Sequence, residues 1–395
     1  MTEDSKAKPE DVGDDSVSFA QVSNLEFAAG WPSGHEAWQD DTTPARDPIS
    51  ALEDVLRPAL QMNPCVLGFS GGRDSSALLA VAVRLARREG LAEPIPLTNR
   101  YPTLPETDEN EWQELVIRHL GIREWLRRDI GGELDLLSES ARRSLLSYGA
   151  QWPATLHNRA PTISAAAGGC YIDGEGGDAM FGEFRVTPFT QLVRGKRSLN
   201  MDAIRKSMLA LSPAPARRRV LSRQLPAHYF RPWLKPEASE TFLRAVVDDE
   251  ARRPLSYAAA LKRSASRRGV VIAFANLDTM GRSLGVAYIH PFLDQRFISA
   301  LSKTTGALGH TSRTAAMTAL FGDCLPASLL ARLTKPHFNG AYVHDATREF
   351  LATWDGSGLD ENLIDVDGLR QMWSGPVVHG GSFQLIQAAW LAQAR

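Results

Sequence analysis

Two short apolar runs each break into a glycine-rich turn carrying an aspartate, and this repetition constrains the fold more than any other feature. The first is Cys65-Val66-Leu67-Gly68-Phe69, followed by Ser70-Gly71-Gly72-Arg73-Asp74-Ser75. The second is Cys170-Tyr171-Ile172-Asp173, followed by Gly174-Glu175-Gly176-Gly177-Asp178. A brief continuous apolar run bounded by glycines reads as a strand buried on both faces, ending in a tight turn. Further strands are expected at Ile95–Thr98 and Arg123–Asp129. Helical spacing of apolar residues predicts helices from Pro48, from Asp74, over Asp108–His119, Glu133–Ser147 and Pro161–Ala167. Strands alternating with helices imply an α/β fold built on a parallel sheet with right-handed crossovers. Ligands of such sheets sit beyond the carboxyl ends of the strands, where both glycine-rich turns fall.

The two flanks look different. Residues 1–47 are rich in charge, Ser, Pro and Gly without a sustained period, and are expected to form a polar, partly disordered extension. Phe27, Trp31 and Trp38 leave open that its second half packs on the main body. Beyond Gly182 the strand signals fade, and residues 191–395 read as mainly helical, broken by prolines.

The first turn is the strongest chemical signal. Its glycines let backbone approach an anion, the N–H groups of the turn and the new helix point toward it, and Ser70 and Ser75 add hydroxyls. The spacing is not that of a P-loop. Asp74 beside bound phosphate would be repulsive without a cation, so a Mg²⁺ bridge is the economical reading. The plain alternative makes Asp74 only a favourable charge at a helix N-terminus.

The segment resembles the SGGxDS signature of the ATP pyrophosphatase superfamily, whose fold is the adenine nucleotide α-hydrolase type. Residues 171–182 resemble the SGEGxDExFxGY segment of its asparagine synthetase-like branch. Gly285-Val286-Ala287-Tyr288-Ile289-His290-Pro291-Phe292-Leu293-Asp294 is similar to GVExRxPFLD, and Leu325-Pro326 with Arg332-Leu333-Thr334-Lys335 to a final LP…RxxK stretch. The resemblance implies ATP and Mg²⁺ as cofactors, bound over residues 67–75 in a 48–190 core that a helical 191–395 part closes. Nucleotide contacts would be Leu67, Ser70, Gly71, Gly72, Asp74, Ser75, Thr98 and Gly174. Asp74 and Asp178 would hold the metal, with Lys335 and Glu175 as catalytic residues. Ala287, Ile289 and Ala179 depart from the pattern by removing charged groups, which argues against aspartate as the substrate.

The implied reaction is adenylation of a carboxylate followed by attack of an amine. Glutamine-using relatives carry an amidohydrolase domain with Cys at position 2. Here position 2 is Thr2 and only residues 1–47 precede the core, so the amine is expected to be ammonia, a second substrate, or a group on the same molecule. The last case resembles β-lactam synthetase and lasso-peptide cyclase. The expected partners are therefore a small molecule or peptide bearing the carboxylate and the amine, with a separate peptide-handling protein as a further candidate. A tRNA-directed ligase and a non-catalytic homologue remain alternatives.

Composition narrows the field further. A formal net charge of −2 argues against a polybasic nucleic-acid or membrane binder. Cys65, Cys170 and Cys324 show neither zinc spacing nor a disulfide framework, and with a polar N-terminus they fit a cytoplasmic protein. Only 8 of the 44 basic residues are Lys, which singles out Lys335. Asp278, Trp152, His157 and Asn158 read as structural. The basic runs Arg217–Arg219 with Arg223, and Lys262-Arg263 with Arg267-Arg268, read as solvated helix faces.

Overall fold

The computed structural model describes residues 18–40, 47–194, 201–333 and 339–394. Its centre is a five-stranded sheet: β1 (Cys65–Gly68), β2 (Ile95–Arg100), β3 (Leu126–Asp129), β4 (Cys170–Ile172) and β5 (Ala287–Ile289). All neighbours run parallel, in the order β3-β2-β1-β4-β5. The chain winds from β1 outward through β2 and β3, then returns to place β4 and β5 on the opposite side. The order therefore reverses between β1 and β4, creating a crevice beyond their carboxyl ends. Cys65 pairs with Cys170 and Leu67 with Ile172, so both glycine-rich turns leave the sheet at one level.

Alternation along the strands sorts the side chains onto two faces. Cys65, Leu67, Cys170 and Ile172 pack under α2 (Pro48–Leu60) and α3 (Arg73–Glu89), α1 being the short helix Asn24–Ala29. Val66, Leu97, Tyr171 and Tyr288 pack against Leu277 and Met280 of the helix Arg268–Ser283. Local signals fix the helix ends. Asp47 caps α2 by accepting from the Ile49 and Ser50 amides, and Gly90 ends α3 in the left-handed conformation.

Three expectations need correction. The strand signal does not end at Gly182: β5 forms at Ala287–Ile289, but three apolar residues after a long helix are too few to show a period. The stretch Glu133–Ser147 is not one helix. A 3₁₀ turn covers Gly132–Leu134, and the α-helix starts only at Glu139, where the Ser138 hydroxyl accepts from the Ala141 amide. The break is held by Asp135, whose carboxylate accepts from the His344 and Thr347 amides and the Thr347 hydroxyl. The third correction concerns the basic runs: Arg218, Arg219 and Arg223 are exposed as expected, but Arg217 and the second run are braces. Arg217 is buried and donates to the carbonyls of Ala251, Leu209 and Glu250. Arg263 pairs with Asp249 at 2.5 Å, Arg268 with Glu26 at 2.5 Å, and Arg267 lies over the Trp31 ring.

A second core gathers Trp233, Trp373, Phe242, Phe383 and Leu369 from the later helices, and the early segment is part of it. Trp233 Nε1 donates to the Ala28 carbonyl at 2.8 Å and Arg231 Nε to that of Ala29 at 3.0 Å. Asn276 exchanges hydrogen bonds with the Ala20 backbone. Phe27 and Trp31 pack on this second core and Trp38 on the first. Among the described residues no helix is long and apolar enough to cross a membrane.

Candidate active site

The turn after β1 is built so that its backbone stays open. Gly71 has φ +83°, and a Cβ there would meet Gln113 Cγ at 2.7 Å. Gln113 Nε2 donates to the Ser70 carbonyl at 3.0 Å, holding the turn from α4 (Asn110–Leu120). Ser70 and Ser75 hydroxyls lie 3.1 Å apart, and the Ser70 amide donates to Ser75 Oγ at 3.2 Å. Gly72 caps α3 with no side chain, so the first amides of that helix have no side-chain acceptor at the cap. These features suit an anion at the end of β1.

The second turn packs directly on the first. A Cβ on Gly174 would sit 2.8 Å from the Ser75 nitrogen, and one on Gly177 would sit 2.3 Å from Asp74 Cγ. Only glycine permits this approach, and it brings Asp74 and Asp178 onto one guanidinium. Arg313, first residue of the helix Arg313–Phe321, donates through Nη2 to Asp74 Oδ2 at 2.5 Å and through Nη1 to Asp178 Oδ1. Asp74 Oδ1 is buried without a hydrogen-bond partner. Burial raises the Asp74 pKa, and the nearby Asp178 raises it further, against the pull of Arg313 and Arg73. A cation already sits between the two carboxylates, and an oxygen remains unused, so the pair fits a divalent metal in both charge and donor type.

Arginines lock the helical part onto this crevice. Arg73 reaches the Thr314 hydroxyl and the Leu330 carbonyl. Arg332, almost fully buried, pairs with Glu109, donates to the Gly71 carbonyl and lies over the Trp112 ring. Lys335 lies outside the described residues. Glu175 follows β4 and pairs with Arg159; its amide donates to Asp173 Oδ1 at 3.2 Å.

The structure thus brings together Ser70, Gly71, Gly72, Asp74, Ser75, Gly174, Glu175 and Asp178. Two expected nucleotide contacts stand back from the opening. Leu67 is fully buried in β1, its side chain in the core. Thr98 is fully buried as well: its hydroxyl donates to the Phe69 carbonyl at 2.6 Å and accepts from Trp125 Nε1 at 2.9 Å, so both roles are used behind the turn. Asp278 forms a surface pair with Arg282. His157 and Asn158 are buried braces, and Asn276 holds the Trp152 carbonyl.

Sequence reasoning missed Arg313, Arg159, Asp173 and His290. The last two carry a usable signal, because a polar residue immediately after a short apolar strand of a parallel sheet stands at the ligand edge. Nothing in the local pattern marks Arg313 or Arg159, which reach the site only through tertiary packing.

Sheet order and paired turns define a doubly wound α/β protein whose ligand crevice lies at the switch point. A family model described as asparagine synthase matches residues 51–392, and the chain belongs to that family. The family is one of ATP-dependent, amide-forming ligases that generally use Mg²⁺. A search of curated proteins finds no match for this chain.

Proposed function

We propose that this chain is an AMP-forming carbon–nitrogen ligase that adenylates a substrate carboxylate and couples it to an amine, closing a ring when both lie on one molecule. The observation that carries this reading is the convergence of Asp74 and Asp178, from two strand-end turns, on a single cationic point. The first amides of α3 and the hydroxyls of Ser70 and Ser75 hold the ATP phosphates. Asp74 and Asp178 hold Mg²⁺, which when bound neutralises charge on the phosphates. Arg313, displaced from the carboxylates, is then available to the departing pyrophosphate. Lys335, the family-type lysine of the RxxK stretch, adds positive charge beside pyrophosphate and the developing oxyanion. Glu175 and Arg159 form the polar wall at the end of β4 against which the acyl group is oriented.

Loss of charge at Ala287 and Ile289 supports a substrate larger or less acidic than aspartate, such as an amino acid derivative or peptide delivered by a partner protein. The test is release of pyrophosphate and AMP from ATP·Mg²⁺ with pooled amino acids, β-amino acids and acidic peptides, using Asp74→Asn as control. Release that depends on one pool and disappears in the control supports the reading. ATP binding without release on any pool overturns it.

A further inference from the structure

A second polar centre lies where β4 and β5 end. Asp173 closes β4, and its Oδ2 accepts from the Tyr288 hydroxyl at 2.6 Å. Its Oδ1 lies 3.0 Å from His290 Nδ1 and also accepts the Glu175 amide. His290 is nine-tenths buried, flanked by the Phe274 and Tyr288 rings at 4.3 and 4.4 Å. Its Nε2 is buried and has no hydrogen-bond partner. An ionised carboxylate only accepts, so Nδ1 carries a proton, and in the neutral ring Nε2 then keeps its lone pair. Leaving such a nitrogen unpaired costs about 1–3 kcal/mol, which a proton donor brought to it by a substrate would offset.

The rest of the strand ends offers no equivalent base. Ala287 and Ile289 cannot titrate, and Glu175 has an oxygen engaged by Arg159. Burial and the Asp173 charge hold Tyr288 well above its usual pKa, so it stays a donor. Burial pushes Asp173 up, but His290, Tyr288 and Arg159 outweigh it and keep the carboxylate ionised. Tyr171 and Glu175 also act on Tyr288, and Tyr342 on Arg159 and Glu175.

We propose that His290, oriented by Asp173, is the general base of the amine-coupling step, which rests on the ligase reading above. The amine nitrogen bonds to the acyl carbon, the bond from that carbon to the AMP oxygen breaks with its electron pair leaving on AMP, and the nitrogen's proton moves to His290 Nε2. The imidazolium then releases it to solvent. Asp173 is a positioning residue, fixing the tautomer.

The experiment separates the two half-reactions in the full chain with ATP·Mg²⁺ and whichever of the three carboxylate pools supports pyrophosphate exchange. His290→Gln should keep ATP–pyrophosphate exchange within about threefold and lower amide formation by roughly 10²–10⁴-fold. Hydroxylamine, a nucleophile already unprotonated at neutral pH, should still capture the acyl group in the variant. Added imidazole should restore part of the coupling in His290→Ala, which a structural role would not allow. Nitrogen NMR of the ligand-free protein should show His290 with the proton on Nδ1, a preference that Asp173→Asn weakens. Unchanged amide formation in His290→Gln, exchange and coupling falling together, or a proton on Nε2 would each overturn the proposal while leaving the ligase reading intact. Absence of exchange in the wild type would overturn that reading, and this proposal with it.

Discussion

Arg313 holds Asp74 at 2.5 Å although 239 residues separate them in the chain. The same guanidinium takes Asp178, so one arginine from the helical part pairs with one carboxylate from each glycine-rich turn. The crevice and the helix Arg313–Phe321 are thereby joined through the very groups expected to meet the metal.

Arg313→Ala leaves the partly buried Asp74 without its main counter-charge, which destabilises the fold. The ligand-free variant should melt at a lower temperature than the wild type. Millimolar Mg²⁺ should raise its Tm more than that of the wild type, because the metal supplies the missing charge. Pyrophosphate release should fall by about 10²–10³-fold and recover partly in Arg313→Lys. Calorimetry with and without Mg²⁺ checks the first pair of outcomes, and a pyrophosphate assay the second.

Gly177→Ala tests the contact between the turns. Its backbone lies in a helix that alanine adopts freely, so the substitution acts through the Cβ, which would stand 2.3 Å from Asp74 Cγ. Asp74 must move, and displacing one donor of a metal pair should lower ATP turnover by roughly 10²-fold or more. Far-UV circular dichroism should remain that of the wild type. Full activity in Gly177→Ala would mean that the two turns need not touch.

Much of this arrangement was legible before any coordinates. Continuous apolar runs marked β1 and β4 because buried parallel strands leave no polar face, and glycine spacing marked the turns because close backbone approach excludes a Cβ. The ligand edge followed from those two features alone. Three residues of β5 could not be read, since a strand that short has no period to detect. Arg313 and Arg159 could not be read either, because their partners are chosen by how distant helices dock. Arg217 was misread for the same reason: a run of arginines looks solvated until packing brings three backbone carbonyls to one of them.

Thr98 distinguishes a nucleotide contact from a support. Removing its hydroxyl in Thr98→Val strips the Phe69 carbonyl and the Trp125 indole N–H of a shared partner. Leaving buried polar groups unpaired should cost about 1–3 kcal/mol. Thr98→Ser should restore most of that stability. ATP affinity should change less than threefold in the serine variant, as measured by calorimetric titration. A large loss of affinity at unchanged stability would instead place the hydroxyl on the nucleotide.

His157 sets a limit on acid tolerance. Its ring is fully buried: Nε2 accepts the Gln151 amide at 3.3 Å, so Nδ1 carries the proton and donates to the Ser144 hydroxyl at 2.8 Å. Burial lowers its pKa to about 4, against roughly 6.5 for an unfolded imidazole. Between those values the unfolded chain binds the proton and the native one does not, so stability is present above pH 6.5 and is lost as pH falls toward 4. The difference is worth about 3 kcal/mol. Protonation would also set an Nε2–H against the Gln151 N–H. His157→Gln removes the titration, and its unfolding free energy should depend less on pH between 7 and 4 than that of the wild type. Urea melts across that range check it, and identical slopes for the two proteins would show that His157 is not the group that titrates.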